Sequence, residues 1–139
     1  KMECADNLKK FIIKNFDGYT EHNVLVGSLD ISRYESKNLC LVIPESTKIT
    51  DTDIGRGFDC ETKITVSFLF RGEKHPALVK RMEETAEKFQ REILGDYSLG
   101  TNVTDIEPGE ITYFYDCGTV EKQATGLEIE LTITETKDY

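Results

Sequence analysis

The side chains that could build a nucleophilic or metal-binding site are few in this chain of 139 residues: four cysteines and two histidines. The cysteines contain no CxxC pair and so lack the close spacing of zinc knuckles or redox motifs; they are Cys4, Cys40, Cys60 and Cys117. Because a reducing compartment disfavours disulfides, we interpret all four as buried or half-buried free thiols.

A cysteine hydrolase would pair Cys60 or Cys117 with His22 or His75. Neither histidine has a recognisable third group to orient it, and both positions are typical of solvated surface residues. This enzyme hypothesis has less support in the sequence than the structural-protein and binding-module hypotheses given below. We expect no catalytic residue, no bound metal and no cofactor.

The segment DTDIGRGFDCE, residues 51–61, begins with the D-x-D spacing of a calcium-binding loop. The match fails further on, because Gly55, Arg56 and Thr62 stand where such loops need an oxygen ligand, a glycine and a bidentate glutamate. The polar, glycine-rich composition instead predicts a long flexible loop at about 45–61 that becomes ordered against a partner. Its candidate oligomer-interface residues are Asp51, Asp53, Ile54, Arg56 and Phe58.

A second polar segment, GDYSLGTNVTDIEPGE, precedes the aromatic run at 113–115. Asp105, Glu107 and Glu110 could serve there as paired carboxylates, but the Pro-Gly sequence predicts a solvated turn. Without nearby cationic residues, the aromatic run is more typical of strand packing than of base stacking.

Composition predicts one soluble domain spanning residues 1–139. The 38% hydrophobic and 31% charged content is ordinary for a globular domain, and the length permits a core that needs no disulfide or metal. No apolar run reaches the ~20 residues of a membrane span, and no signal peptide is recognisable, so we expect a cytoplasmic protein. The net charge of −9 argues against binding nucleic acid through its phosphates, yet it suits a surface past which DNA slides without sticking.

Apolar spacing predicts two amphipathic helices, at residues 3–16 and 76–94, each ended by a following glycine. Runs rich in branched and aromatic residues predict strands at 24–26, 39–43, 64–70, 111–115 and 127–133. The last two strands are expected to be antiparallel neighbours. This order of elements predicts an α+β fold in which both helices pack on one face of a mostly antiparallel sheet.

Two stretches have a family likeness: TKITVSFLFRGEKHPALVKRMEETAEKFQREILG and ITYFYDCGTVEKQATGLEIELTITE. The pattern resembles the tail terminator or minor capsid (tail-completion) proteins of long-tailed bacteriophages. In that family a strand with an Arg-Gly exit leads into the long helix, and a glycine follows the first of two closing strands. The matching positions are Arg71-Gly72 and Gly118, and the likeness covers roughly residues 60–135.

The resemblance implies a phage or prophage structural protein that closes into a ring, usually a hexamer, without catalysis. Such a ring caps the tail tube and joins it to the head connector, so its partners would be copies of itself, tail-tube subunits and head-completion proteins. It would occupy the host cytoplasm during assembly and the tail-head junction of the virion. DNA would pass through the ring without specific binding, and no membrane would be involved.

The alternative is a small-ligand or peptide binding module of the same α+β fold. Its pocket would lie between the helices and the sheet, lined by Phe68, Phe70, Phe89 and Tyr113. A packed core accounts for the same residues more simply.

Overall fold

A computed structural model describes residues 3–27, 38–51, 57–70, 75–95, 103–117 and 124–138. Within these ranges the chain forms two helices and five strands. In chain order they are α1 (Glu3–Asn15), β1 (Val24–Val26), β2 (Asn38–Asp51), β3 (Gly57–Phe70), α2 (His75–Gly95), β4 (Val103–Cys117) and β5 (Ala124–Asp138). The predicted α+β class and both predicted helices are confirmed.

The described strands form one sheet with the order β1-β2-β3-β5-β4. The β2–β3, β3–β5 and β4–β5 pairs are antiparallel, which confirms the predicted pairing of the two closing strands. The β1–β2 pair is parallel, with Val24 opposite Cys40, so the sheet is mixed rather than mostly antiparallel. A chain of eleven residues, 27–37, separates these two strands, and parallel neighbours require such a longer return path than a tight hairpin.

Both helices form because their apolar residues recur at three and four positions and are buried together. In α1 these residues are Leu8, Phe11 and Ile12, and Gly18 follows the helix with a positive φ of 87°. In α2 the buried stripe consists of Leu78, Met82, Ala86, Phe89 and Ile93.

The core is centred on Phe68 of β3, which is fully buried. Its ring lies 5.5 Å from that of Phe16, 5.7 Å from that of Tyr19 and 6.0 Å from that of Phe89, measured between ring centroids. Phe11 of α1 also meets Phe89 of α2 edge to face, at 6.2 Å. These aromatic contacts join the central strand to residues from both helical segments.

The other face of β3 carries a second, smaller apolar cluster. Leu39, Leu41 and Leu69 form it and are buried, with Leu25, Ile43 and Phe114 packed against them. The alternation along each strand explains the two clusters, because neighbouring side chains point to opposite faces. The sheet is therefore apolar on both faces at the end that contains Leu39, Leu41 and Leu69.

The prediction of a flexible loop at 45–61 is wrong for the part that the structure describes. Residues 45–51 belong to β2, and residues 46–51 pair with residues 58–63 of β3, while residues 52–56 lie outside the described ranges. The pairing register shifts between Pro44 and Ser46. Pro44 has no N–H to donate to the neighbouring strand, and the shift lets the strand continue past it. The Thr65 hydroxyl donates to the Glu45 carboxylate over 2.7 Å at this shift.

The predicted turn containing the Pro-Gly pair is also wrong. Residues 103–110 form the first half of β4, in which Asp105, Glu107 and Glu110 are exposed. Pro108 is tolerated because β4 is the edge strand of the described sheet, where one side of the backbone has no strand to pair with.

Gly126 of β5 occupies a position where the chains approach too closely for a side chain. A Cβ at this residue would overlap the carbonyl oxygen of Phe68 and lie 3.1 Å from the Phe114 ring. Glycine is therefore required between the central strand and the edge strand.

We expect Gly126→Ala to lower the free energy of unfolding by about 1–3 kcal/mol, because the added methyl group must push the β3 backbone or the Phe114 ring aside. Urea denaturation followed by far-ultraviolet circular dichroism measures the change. Thr112→Ala, an exposed position on neighbouring β4, is the matched control and should change stability by less than about 0.5 kcal/mol. Equal stability of Gly126→Ala and the wild type would contradict the close approach.

Candidate functional site

Two strands lie toward opposite edges of the described sheet. Among the described strands, β4 has β5 as its neighbour, and β2 pairs with β1 over three residues, Cys40, Leu41 and Val42. The rest of β2, residues 43–51, has no described strand on that side. Three successive antiparallel pairs separate β2 from β4, so the two strands run in opposite directions.

The exposed large hydrophobic side chains of the described residues lie on these same two strands. Ile49 of β2 is 66% exposed, and Tyr113 and Tyr115 of β4 are 42% and 46% exposed. Single exposed apolar residues are common on protein surfaces. Here, however, all three exposed side chains lie on β2 and β4, which marks these strands as candidate contact surfaces.

Tyr113 and Tyr115 line a shallow groove against helix α2. The groove has a volume of about 210 Å³ and is completed by Val79, Met82 and Glu83. Two tyrosine rings and two aliphatic side chains give it a mainly apolar lining, with one carboxylate at its margin. It can accept one aliphatic side chain more readily than a charged group.

A second cavity, of about 400 Å³, lies at the far end of the β2–β3 hairpin. Its lining consists of Thr47, Ile49, Phe58, Cys60, Thr62, Glu135 and Lys137. The Thr47 and Thr62 hydroxyl oxygens lie 3.1 Å apart across the hairpin. The cavity thus combines two apolar side chains with hydroxyl groups and one charge of each sign.

Glu135 stands out in this cavity because its side chain is only 4% exposed. It lies opposite Cys60 on β3 and Val103 on β4, and it accepts a hydrogen bond from the Cys4 thiol of α1. Burial, and next the negative charge of Glu135, raise the pKa of Cys4 to about 11. Burial likewise raises the pKa of Cys40. Both thiols stay protonated at neutral pH, which makes them poor nucleophiles.

The cysteine-hydrolase geometry is not formed by the pair that can be placed. His22 is exposed in the turn before β1. Val24 of β1 lies opposite Cys40 of β2, which lies opposite Phe68 of β3. Cys60 precedes Phe68 by eight residues on β3, which separates the two levels by about 27 Å at the rise of a strand. The side chains of the other proposed pair, Cys117 and His75, lie outside the described residues.

Within the described ranges, no group of three His, Cys, Asp or Glu side chains is arranged to hold a metal ion. None of the described helices is long and apolar enough to cross a membrane.

The candidate interface residues predicted from sequence fall partly at the tip of the hairpin. Asp51 and Phe58 are opposite each other as the last described pair of β2 and β3, and Phe58 lines the hairpin cavity. Asp53, Ile54 and Arg56 lie outside the described residues.

The four aromatic residues proposed to line a ligand pocket lie in two different places. Phe68, Phe70 and Phe89 are buried in the core, and Tyr113 lies in the edge groove.

Sequence reasoning missed Ile49 as a contact residue. Among residues 46–51 only Ile49 is apolar, so no alternation of apolar and polar residues indicated a strand there. Tyr113 and Tyr115 were assigned to ordinary packing, since the sequence did not show that β4 is an edge.

A scan against known protein families and a search of curated proteins both find no match to this chain.

The Cys4 thiol gives a prediction about alkaline stability. Because its pKa is raised in the folded state from 9.0 to about 11, the protonated thiol stabilises the fold below pH 9, and this contribution is lost as pH rises from 9 to 11. We expect the free energy of unfolding to fall less steeply over this window in Cys4→Ala than in the wild type. Chemical denaturation at each pH measures the slopes.

Glu135→Gln serves as the companion variant. It removes the charge that raises the thiol pKa, so thiolate absorbance near 240 nm should rise at lower pH than in the wild type. Identical titration curves would contradict the Cys4–Glu135 contact.

Proposed function

We propose that this chain is a phage or prophage structural protein that assembles into a ring, caps the tail tube and joins it to the head connector, without catalysis. The proposal combines the resemblance over residues 60–135 with one geometric observation. β2 and β4 run in opposite directions and lie toward opposite edges of the described sheet.

This arrangement supports head-to-tail association. The β4 edge of one copy can pair with the β2 edge of the next in antiparallel fashion, since the two strands already run in opposite directions within each copy. Each copy then contacts one neighbour through β4 and the other neighbour through β2. A contact of this kind generates a closed ring when the rotation between copies divides a full turn, and a hexamer is the size we propose.

The helices favour a distinct inner and outer surface for such a ring. We propose that both helices cover one face of the sheet, since Phe16 and Phe89 both contact Phe68. Beyond the smaller apolar cluster of Leu39, Leu41 and Leu69, polar and charged side chains alternate with these core residues along the strands and point to the opposite face. The carboxylates among them include Asp59, Glu61, Asp105, Glu107, Glu128 and Glu130.

This acidic face suits the wall of a channel for DNA. Carboxylates repel the phosphate backbone over roughly the Debye length of about 8–10 Å, so DNA passes without adsorbing. Two lysines, Lys48 and Lys63, share the face and leave it acidic on balance.

The alternative function, binding of a small ligand or peptide, is favoured by the hairpin cavity of about 400 Å³. Its volume lies in the range of small-molecule pockets. A thermal-shift panel of metabolites and short peptides distinguishes the two functions. A specific ligand raises the melting temperature at fixed protein concentration, whereas assembly makes that temperature depend on protein concentration.

The ring is tested by light scattering coupled to size exclusion over a wide range of protein concentration. We expect the mass to rise with concentration toward that of a closed ring, and electron microscopy to show rings of uniform diameter. Added salt should strengthen association, because each copy carries a net charge of −9 and screening weakens the repulsion between copies. Tail-tube subunits should promote it further.

A protein that stays monomeric at every concentration and salt level, and also with tube subunits, would overturn the proposed function. Bovine serum albumin at equal mass concentration controls for promotion of assembly by crowding alone.

A further inference from the structure

We propose that the hairpin cavity binds a small zwitterion, an α-amino acid with an aliphatic side chain. The ammonium group of the ligand lies against the Glu135 carboxylate, and its carboxylate lies against the Lys137 ammonium group. Its side chain packs on Ile49 and Phe58. This inference goes beyond the proposed ring and does not depend on it, because the cavity is formed within one copy of the chain.

The cavity has a buried floor and an open rim. Its floor is made by three side chains that are each no more than 5% exposed: Cys60, Thr62 and Glu135. Its rim is made by four exposed or half-buried side chains: Thr47, Ile49, Phe58 and Lys137. A small molecule can therefore enter across the rim and place a polar group on the floor. The volume of about 400 Å³ is in the range of small-molecule sites.

The position of the cavity follows from the alternation along β5. Ile133 is buried in the main core cluster, and Glu135 and Lys137 follow two and four residues later on the same face. The core cluster thus ends along β5 at Ile133, and the cavity occupies the same face beyond it. Charged side chains stand there at positions where an apolar residue would extend the core.

The Glu135 carboxylate is the strongest indication of a ligand. It accepts a hydrogen bond from the Cys4 thiol, which is a weak donor. Within the part of the chain that the structure describes, its side chain has no other hydrogen bond and no ion pair. A carboxylate offers about four acceptor positions, and a buried charge is costly unless it is paired. A cationic group on the floor of the cavity would supply the pairing.

Lys137 brings the opposite charge to the same cavity. It lies about 7 Å from Glu135 along the strand, yet no ion pair joins the two side chains in the described structure. Both charges act on the Cys4 thiol. After burial, the charge of Glu135 raises the Cys4 pKa, and the charge of Lys137 lowers it. The two charged groups therefore lie close enough to the floor to act on one small ligand.

One charge of each sign discriminates between ligand classes. A simple amine is attracted by Glu135 but repelled by Lys137, and a simple carboxylic acid meets the reverse. A zwitterion places each of its charges against the opposite one. The apolar surfaces of Ile49 and Phe58 beside these charges favour an aliphatic side chain over a polar one.

The threonine hydroxyls complete the polar side of the site. The hydroxyl oxygens of Thr47 and Thr62 lie 3.1 Å apart, so one donates a hydrogen bond to the other. Each oxygen has two lone pairs, so Thr62 keeps the capacity to accept a further hydrogen bond. A primary ammonium group carries three N–H donors, and Thr62 on the floor can accept one that Glu135 does not take.

Isothermal titration calorimetry with matched ligands tests the site. The amino acids are L-leucine, L-isoleucine and L-methionine. Two analogues of leucine each lack one charge: 3-methylbutylamine has no carboxylate, and 4-methylpentanoate has no ammonium group. We expect saturable binding of at least one of the amino acids. Each analogue should bind roughly tenfold or more weakly than leucine, because one charge-assisted contact is lost.

Two results would overturn the proposal. One is that none of the three amino acids binds saturably. The other is that either analogue binds as tightly as leucine, which would show that the cavity does not recognise both charges.

Glu135→Gln examines the floor carboxylate. We expect it to weaken leucine binding by roughly tenfold or more, because the charge that pairs with the ammonium group is removed. Glu128→Gln removes an exposed charge on the other face of the same strand and is the matched control, with unchanged affinity expected. Thermal melting shows whether both variants keep the fold. Equal affinity of Glu135→Gln and the wild type contradicts the proposal.

Lys137→Gln changes the rim, where a substitution perturbs the fold least, and its readout is specificity. The preference for leucine over 3-methylbutylamine should shrink by roughly tenfold, since the partner of the ligand carboxylate is lost. Lys48→Gln, on the other face of β2, should keep the preference. A merely structural role of Lys137 would weaken both ligands alike, and that outcome would refute its contact with the ligand carboxylate.

Binding and assembly are measured separately, so the two proposals can fail independently. Amino-acid binding by a protein that never assembles supports this site and overturns the ring. Rings that form from a protein without amino-acid binding overturn this site and leave the ring standing.

Discussion

The structure depends on the burial of Phe68 at the middle of the central strand. Its ring receives Phe16 from the segment after α1 and Phe89 from α2, and its strand pairs on both sides with long neighbours. Phe68 thus contacts one aromatic residue after α1 and one in α2, and its own strand pairs with β2 and β5. Because interiors are close-packed, the positions of α1, α2 and the flanking strands are mutually constrained through this contact. The same packing also constrains the positions of the outer strands of the sheet.

The long strands extend well beyond the part of the sheet covered by the main core. At the far end, the β2–β3 hairpin is held by the Thr47–Thr62 hydroxyl contact and by the hydrogen bond from Thr136 to Asp59. The buried Cys4–Glu135 pair joins the start of α1 to the same end. These polar contacts replace a hydrophobic core where the sheet becomes polar on its surface. The Thr47–Thr62 contact helps to hold the end of β2 against β3.

Helices and strands whose apolar residues recur at a regular spacing could be predicted from the sequence. Strand segments without such a pattern were missed. The stripe in α2 and the alternation from Ile64 to Phe70 are strong signals, because burial fixes the period of the apolar residues. Residues 44–51 and 103–110 are mostly polar and contain Pro44 and Pro108, so local composition indicated loops. Their pairing with distant strands makes them strands instead. The same limit applies to the candidate contact surface. Ile49 and Tyr113 are separated by 64 positions, and their relation depends on which strands lie at the edges, which follows from the chain topology and not from spacing.

The short length of β1 has a further consequence for the timing of assembly. By covering only three residues of β2, it leaves an edge of about eight residues, which supports few backbone hydrogen bonds and little buried area for a single contact. In the proposed ring, two copies held by one such contact would separate readily. The last copy to close that ring would make two contacts at once, the second at a high effective concentration. The proposed function therefore implies short-lived incomplete arcs and persistent closed rings.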